Sequence, residues 1–493
     1  MKNISFVVVV LLVAVGLAVA EIKNKGWWKN AVFYQVYPRS FKDSDGDGIG
    51  DLKGIISKLQ HFNSTGITAI WLSPIYKSPM TDFGYDISDF RDVDPVFGVM
   101  KDLEDLVAEA HKIGVKVILD LVPNHTSDQH SWFKESVNKT EKYADYYIWV
   151  NGKDPSTPPN NWVSVFNGSA WTYNKERKQF YFHQFFKSQP DLNYSNPAVQ
   201  QEMKVLLTEA YASLPNMIKY YNYGSHVPFN FRFITDADAN SNATQLKNVI
   251  DSWIKSMPKG SVANWVMGNH DQVRLGSRYP NRTEQMIMLE MILPGIAVTY
   301  YGEEIGMVDI PGPTIYDVRD GCRSPFQWDN TTSAGFSNTT KTWLPVNDNY
   351  KDVNLQKEKK EENSTYQLYI KLIELRKSNT LKHGSLLTKD LSKSVLAVMR
   401  ETETETVSLL INISKNKTSV NLTQLGSTRV SEKPTKIQLG STNFDKAPGT
   451  LVDNSKIELP GHAAVILVSS GASLVSYSVM SLVFSVLFSL LPW

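Results

Sequence analysis

Short β-rich apolar runs alternate with helically spaced segments through the first two thirds of the 493-residue chain, the order required by parallel strands joined by helices. Residues 32–37 predict a first strand. Leu52, Ile55, Ile56 and Leu59 share one helical face over 52–62, Gly66 ends that helix, and 67–72 resumes as strand. A second helix over 103–111 stops at Gly114, and 115–122 forms the third strand. Residues 205–208, 227–233, 264–267 and 296–300 supply further strands, making seven where a closed (β/α)8 TIM-type barrel has eight.

The shortfall has a location. Asn196-Pro197 opens a helix with cap and first-turn residues, the helical spacing runs to about Lys204, and Val205-Leu206-Leu207 begins a strand with no turn between them. Connections from helix to strand usually take about two to six residues, so a strand, a helix and their loops are expected to be absent at the 204/205 junction. The fold class expected is thus a TIM-type α/β barrel over 21–381 that lacks its fourth strand unit. A subdomain over about 124–191, rich in Trp, Tyr, Asn and Pro, is inserted after the third strand. Beyond a last helix at about 366–377, short alternating runs at 395–398, 407–411 and 464–468 predict an antiparallel β domain over 382–468.

Composition narrows the compartment and the partners. Fifty-one basic against 50 acidic residues leave a formal charge of +1, which gives no basis for binding nucleic acid. Cys322 is the single cysteine, so neither an internal disulfide framework nor a multi-cysteine zinc site is available. Residues 1–20 read as a cleavable signal peptide, with an apolar run ending at Ala18-Val19-Ala20. Sequons at Asn138, Asn167, Asn242, Asn281, Asn363 and Asn421 agree with secretion, although Asn124-His125-Thr126 has the same pattern by chance. The tail over 469–493 carries no charge, ends without a basic stop, and follows the small residues Ser469 to Ala472. It reads as a glycosylphosphatidylinositol (GPI) attachment signal, placing the protein on the extracellular face of the plasma membrane or outside the cell.

Polar clusters stand where strands end: Asp120 to His125 on the third, Thr208-Glu209-Ala210-Tyr211 on the fifth, and Gly268-Asn269-His270-Asp271 on the seventh. Barrel active sites are built at those ends, and an acid on an apolar strand is costly unless it is paired or used. Together with 31–41 (AVFYQVYPRSF), 71–75 (WLSPI), 82–88 (DFGYDIS), 189–193 (QPDLN) and 322–329 (CRSPFQWD), these clusters resemble the α-amylase superfamily of glycoside hydrolases, and within it the insect maltase-type α-glucosidases. The resemblance implies retaining cleavage of terminal α-linked glucose from maltose- or sucrose-like oligosaccharides. It implies Glu209 as general acid/base and Asp271 as the carboxylate that grips sugar hydroxyls and steadies the transition state. It also implies substrate-binding roles for Asp82, Tyr85, Asn124, His125 and His270.

The family's nucleophile belongs to a Gly-Phe-Arg-x-Asp motif ending the fourth strand, and this chain has no such motif. The absent barrel unit and the absent nucleophile coincide at 204/205. Asp191, Asp236 and Asp238 belong to other loops and are not expected to reach the roughly 5–5.5 Å separation that retaining chemistry requires. A weak or inactive enzyme is therefore expected, and the competing reading is a non-catalytic membrane-anchored binding protein on the same scaffold. Transporter-associated heavy chains of this fold are disfavoured by the cleavable leader. Asp43, Asp45, Asp47 and Asp51 alternate around the bend at Gly48, a spacing suited to a hard cation; with the family's loop at this place it predicts Ca²⁺, with Ile49 adding its carbonyl. The aromatic residues of 131–182 read equally as sugar platform and as subdomain core, and Cys322 reads as a packed strand-end thiol.

Overall fold

The computed structural model describes residues 26–203, 213–222, 227–312 and 314–470. Among them, five parallel strands form one sheet in the order Lys116–Leu119, Ala69–Leu72, Val32–Val36, Ile296–Tyr300, Asn264–Val266. Among the described residues the first strand sits at the centre of this sheet, with Lys116–Leu119 and Asn264–Val266 at its edges. The expected leader at 1–20, the expected strand at 205–208 with Glu209, and the tail beyond Ser470 lie outside the described residues.

The punctuation read from sequence places the helices. Asp51 caps Leu52–Ser57 by accepting from the Gly54 amide at 2.8 Å. A break at Lys58 divides the expected single helix, and Leu59–Thr65 ends at Gly66 with φ 86°, a conformation glycine adopts without cost. Met100–Lys112 is followed by Gly114 at φ 80°. Asn196 caps Pro197–Glu202, with its side chain accepting from the Ala198 amide at 2.9 Å.

One expected strand is corrected. Residues 227–233 are not extended: 227–231 is irregular and Arg232–Thr235 forms a short helix. Pro228 lacks an amide to donate, and the edge of Asn264–Val266 bonds this segment through the Asn264 side chain, which accepts from Asn230 N at 2.9 Å and donates to Pro228 O. Phe229 stacks on Trp71 at 5.0 Å and 21°, so the apolar run fills space against the sheet without joining it.

Burial separates the two edges. The first, second and last parallel strands and Asn264–Val266 are buried at every position, whereas Lys116–Leu119 is half-buried along its length and Leu119 is 39% exposed.

The insertion forms a three-stranded antiparallel sheet, Trp149–Val150, Gln179–Phe182, Trp171–Asn174, around a core of Phe133, Tyr146, Tyr147 and Tyr181. These aromatics are therefore core rather than platform, while Trp162 is exposed. The last unit is a six-stranded antiparallel sheet in the order Ser385–Ser392, Val395–Glu401, Glu405–Asn412, Ala464–Ser470, Thr435–Gly440, Leu451–Val452. Among the described residues no helix is long and apolar enough to cross a membrane.

Candidate active site

The C-terminal ends of the parallel strands converge on one polar cluster. Asp82 lies in a tight loop that Asp86 folds by accepting from the Thr81 and Asp82 amides at 2.9 and 3.0 Å. Asp82 is buried, accepts from Gln189 Nε2 at 2.9 Å and pairs with Arg319 Nη2 at 2.7 Å. Burial raises its pKa and Arg319 offsets part of the rise. Tyr85 follows in the same loop. Its ring stacks on His270 at 5.1 Å and 7°, and its hydroxyl donates to Asp120 at 3.3 Å.

His270 and Asp271 follow the strand Asn264–Val266. The His270 ring lies between Tyr37 and Tyr85, with Nδ1 2.9 Å from Gln35 Nε2. With the Gln35 amide donating, Nε2 carries the proton and faces Asp271 at 3.4 Å. Burial pushes the imidazole down to about 4, so it is neutral at pH 7. Burial acts on Asp271 in the opposite sense, but His270, Arg323 and Arg319 outweigh it and hold the carboxyl below the usual range. Arg323 reaches Asp271 at 2.9 Å and Arg319 at 3.4 Å.

Asn124 and His125 follow Lys116–Leu119. His125 Nε2 donates to the Tyr85 carbonyl at 3.0 Å and its Nδ1 lies 3.2 Å from Asn124 Nδ2, which ties the second and third strand ends together. Burial pushes His125 down to about 4 and Asp120 up to about 7, the latter against the bond from Tyr85.

Asp82, Tyr85, Asn124, His125, His270 and Asp271 are therefore brought into one network, and Glu209 lies outside the described residues. Asp191 bridges to His125 through the backbone and accepts from Gln184 N at 2.8 Å; burial pushes it up to about 7. Asp236 pairs with Arg232, and Asp238 bonds within its own turn at Ser241 and Asn240.

Sequence reasoning missed Arg319 and Arg323 as site residues. Asp320 accepts from the Ile315 and Tyr316 amides at 2.7 Å and folds the loop that swings Arg319 between Asp82, Asp271 and Asp317. Arg323 stood within the quoted CRSPFQWD motif, so the signal was present without a role attached. Cys322 is buried in the turn Asp320–Arg323 rather than at a strand end, its thiol 3.3 Å from the His270 carbonyl.

In the loop after the first strand, carboxylate oxygens of Asp43, Asp45 and Asp51 lie within 4.8 Å of one another. Asp47 is turned to the Ile49 amide at 2.7 Å. An oxygen donor set of three convergent carboxylates fits a hard divalent cation.

The network thus offers an ionised carboxylate, guanidinium donors and neutral imidazoles beside aromatic rings, which suits a neutral polyhydroxylated ligand. Residues 35–206 and 204–384 match the α-amylase catalytic domain. The chain belongs to the α-amylase family. Among the family's proteins it is similar to maltase 1 of Drosophila virilis, 43% identical with 81% of this chain and 80% of that protein covered. It is also 34% identical to the amino acid transporter heavy chain SLC3A1 of Rattus norvegicus, over 96% of this chain and 83% of that one. A crystal structure of Bacillus licheniformis trehalose-6-phosphate hydrolase (TreA), mutant R201Q, in complex with PNG superposes with a TM-score of 0.81 at 28% identity, covering 90% of this chain and all of the other. The chain is a maltase-type member of the α-amylase family, with that family's barrel and C-terminal antiparallel sheet.

Proposed function

We propose that this chain is an α-glucosidase scaffold that grips the terminal glucose of maltose- or sucrose-like oligosaccharides and turns them over weakly or not at all. Asp82, Asp271, Arg319 and His125 bind the sugar, and Glu209 is the acid/base of a retaining mechanism whose nucleophile this chain lacks. The observation that carries the reading is that the family match breaks into two parts overlapping at 204–206. The half-buried edge strand Lys116–Leu119 supports it, because the unit that follows this strand in sequence would cover it. So does the alignment to maltase 1, which runs over 507 positions, more than the 493 residues present, while using 81% of them. Removal of a nucleophile typically costs several orders of magnitude in turnover.

Titration calorimetry with maltose, run beside a glucose-release assay, tests the proposal: binding without release is expected. Efficient release would overturn the inactivity, and absence of binding would overturn the sugar site. A second reading, a non-catalytic surface protein, is favoured by the same intact gripping residues without a nucleophile, and by the transporter heavy chain among the relatives.

We also assign a structural Ca²⁺ to Asp43, Asp45 and Asp51, with Asp47 and Ile49 as further donors. Residues 1–20 are read as a leader and 469–493 as a GPI signal, which places the protein outside the cell. Protein that stayed on membranes after phosphatidylinositol-specific phospholipase C treatment would overturn the anchor.

A further inference from the structure

We propose that Asn167 carries an N-linked glycan whose first sugars pack onto Trp162. The inference rests on the extracellular placement above and adds a specific modification site with a packing surface.

Residues 162–170 form a hairpin on the inserted subdomain. Val163 and Ser169 face each other across it, Ala170 N donates to Trp162 O at 2.9 Å, and the turn closes through Asn167 N to Ser164 O and Ser164 N to Gly168 O, both at 3.0 Å. Asn167 and Gly168 sit at the tip with φ 71° and 78°, and Asn167 is exposed. The Ser164 hydroxyl is buried and donates to Phe185 O at 2.7 Å, which fixes the hairpin to the subdomain.

The hairpin is apolar where it meets solvent. Trp162 is 56% exposed, Val163 69% and Val165 58%. Trp162, Val163, Gly168 and Ser169, with Pro158, Asn160 and Asn161, line a shallow recess of about 370 Å³. Gly168 and Ser169 belong to the sequon, so the recess begins one residue from the attachment nitrogen. Its wall has an indole and amides and no charged side chain, which suits a neutral sugar: C–H faces on the aromatic ring and hydroxyls on the amides. An apolar patch at a subdomain tip needs a cover in an extracellular protein, and a tethered glycan supplies one without a partner chain.

Another sequon shows what the geometry excludes. At Asn124-His125-Thr126 the Thr126 hydroxyl is buried and bonded to Ser127 O and Tyr147 Oη, so it is closed to modification in the fold.

The full chain secreted from insect cells provides the test. Glycopeptide mapping is expected to find Asn167 occupied. N167Q and S169A, each of which removes the sequon, are expected to raise chymotrypsin cleavage within the hairpin severalfold. W162A is expected to match them, and the W162A/N167Q double variant to add nothing further. Because Trp162 also stacks on Trp171 and meets Phe182 edge-on, and because Ser169 Oγ accepts from Trp171 N at 3.1 Å, N167Q, which leaves those contacts in place, decides the matter. An unoccupied Asn167 beside occupied Asn138 and Asn281, or unchanged cleavage in N167Q and S169A, overturns the proposal. Absence of glycan from every sequon overturns the extracellular placement and the proposal with it.

Discussion

Asp271 holds the best-defined charge in the site, since two guanidinium groups and a neutral imidazole keep it ionised against its burial. Substituting Asn keeps the shape and removes the charge. A charge-assisted hydrogen bond contributes about 1.5–3 kcal/mol, so Asp271→Asn is expected to weaken maltose binding roughly tenfold to a hundredfold. Titration calorimetry below the melting range reads that loss, and unchanged affinity would remove Asp271 from the sugar site. The same residue shows what a linear reading reaches. His270-Asp271 announced itself as an imidazole and an acid at the end of an apolar strand, and Asp82 through the 82–88 motif of the family resemblance. Arg319 did not, because its role depends on two partners, one 48 residues before it and one 237 residues before it, that meet only after the sheet has assembled.

At the scale of elements, strands and helices bounded by glycine, or opened by a capping side chain, fell close to where their spacing put them. The boundaries at Gly66 and Gly114 are of this kind, set by a left-handed conformation that few other residues tolerate. The run 227–233 misled because apolar aromatic composition marks burial and not strand pairing: Phe229 and Phe231 are buried against the sheet while the backbone meets the strand Asn264–Val266 through the Asn264 side chain. The loop 43–51 shows a similar limit. Spacing predicted the convergence of Asp43, Asp45 and Asp51, yet the Asp47 side chain closes a local turn on Ile49. Three carboxylates held within 4.8 Å repel one another unless a cation sits among them. Chelation is therefore expected to lower the thermal midpoint, with recovery on adding back Ca²⁺ and none in Asp43→Asn. A midpoint unmoved by chelator in calorimetry would count against the ion.

The whole molecule carries two opposed sets of buried ionisable groups, and their balance sets how stability changes with pH. His125, His130 and His270 are pushed down to about 4 by burial. Below their unfolded value of about 6.5 the unfolded chain takes up protons that the folded chain refuses, so these groups make stability rise with pH from about 4 to 6.5 and add no slope above it. Asp120 and Asp191 are pushed up to about 7, and Glu303 and Glu358 to about 8, again chiefly by burial. For them the folded state keeps the proton that the unfolded chain has released, so stability falls as pH rises from about 4 to 7 or 8. Between pH 4 and 6.5 the two sets oppose each other and the slope is shallow. Between 6.5 and 8 only the carboxyl set acts, so the thermal midpoint is expected to drop across that interval, and above it the buried Cys322 thiol, pushed up to about 12, keeps the slope negative. Calorimetric scans at pH 5.5, 6.5, 7.5 and 8.5 at constant ionic strength check this. A midpoint that climbed from 6.5 to 8 would mean that the buried carboxyls ionise in the folded state near their ordinary values, with water or a cation reaching them.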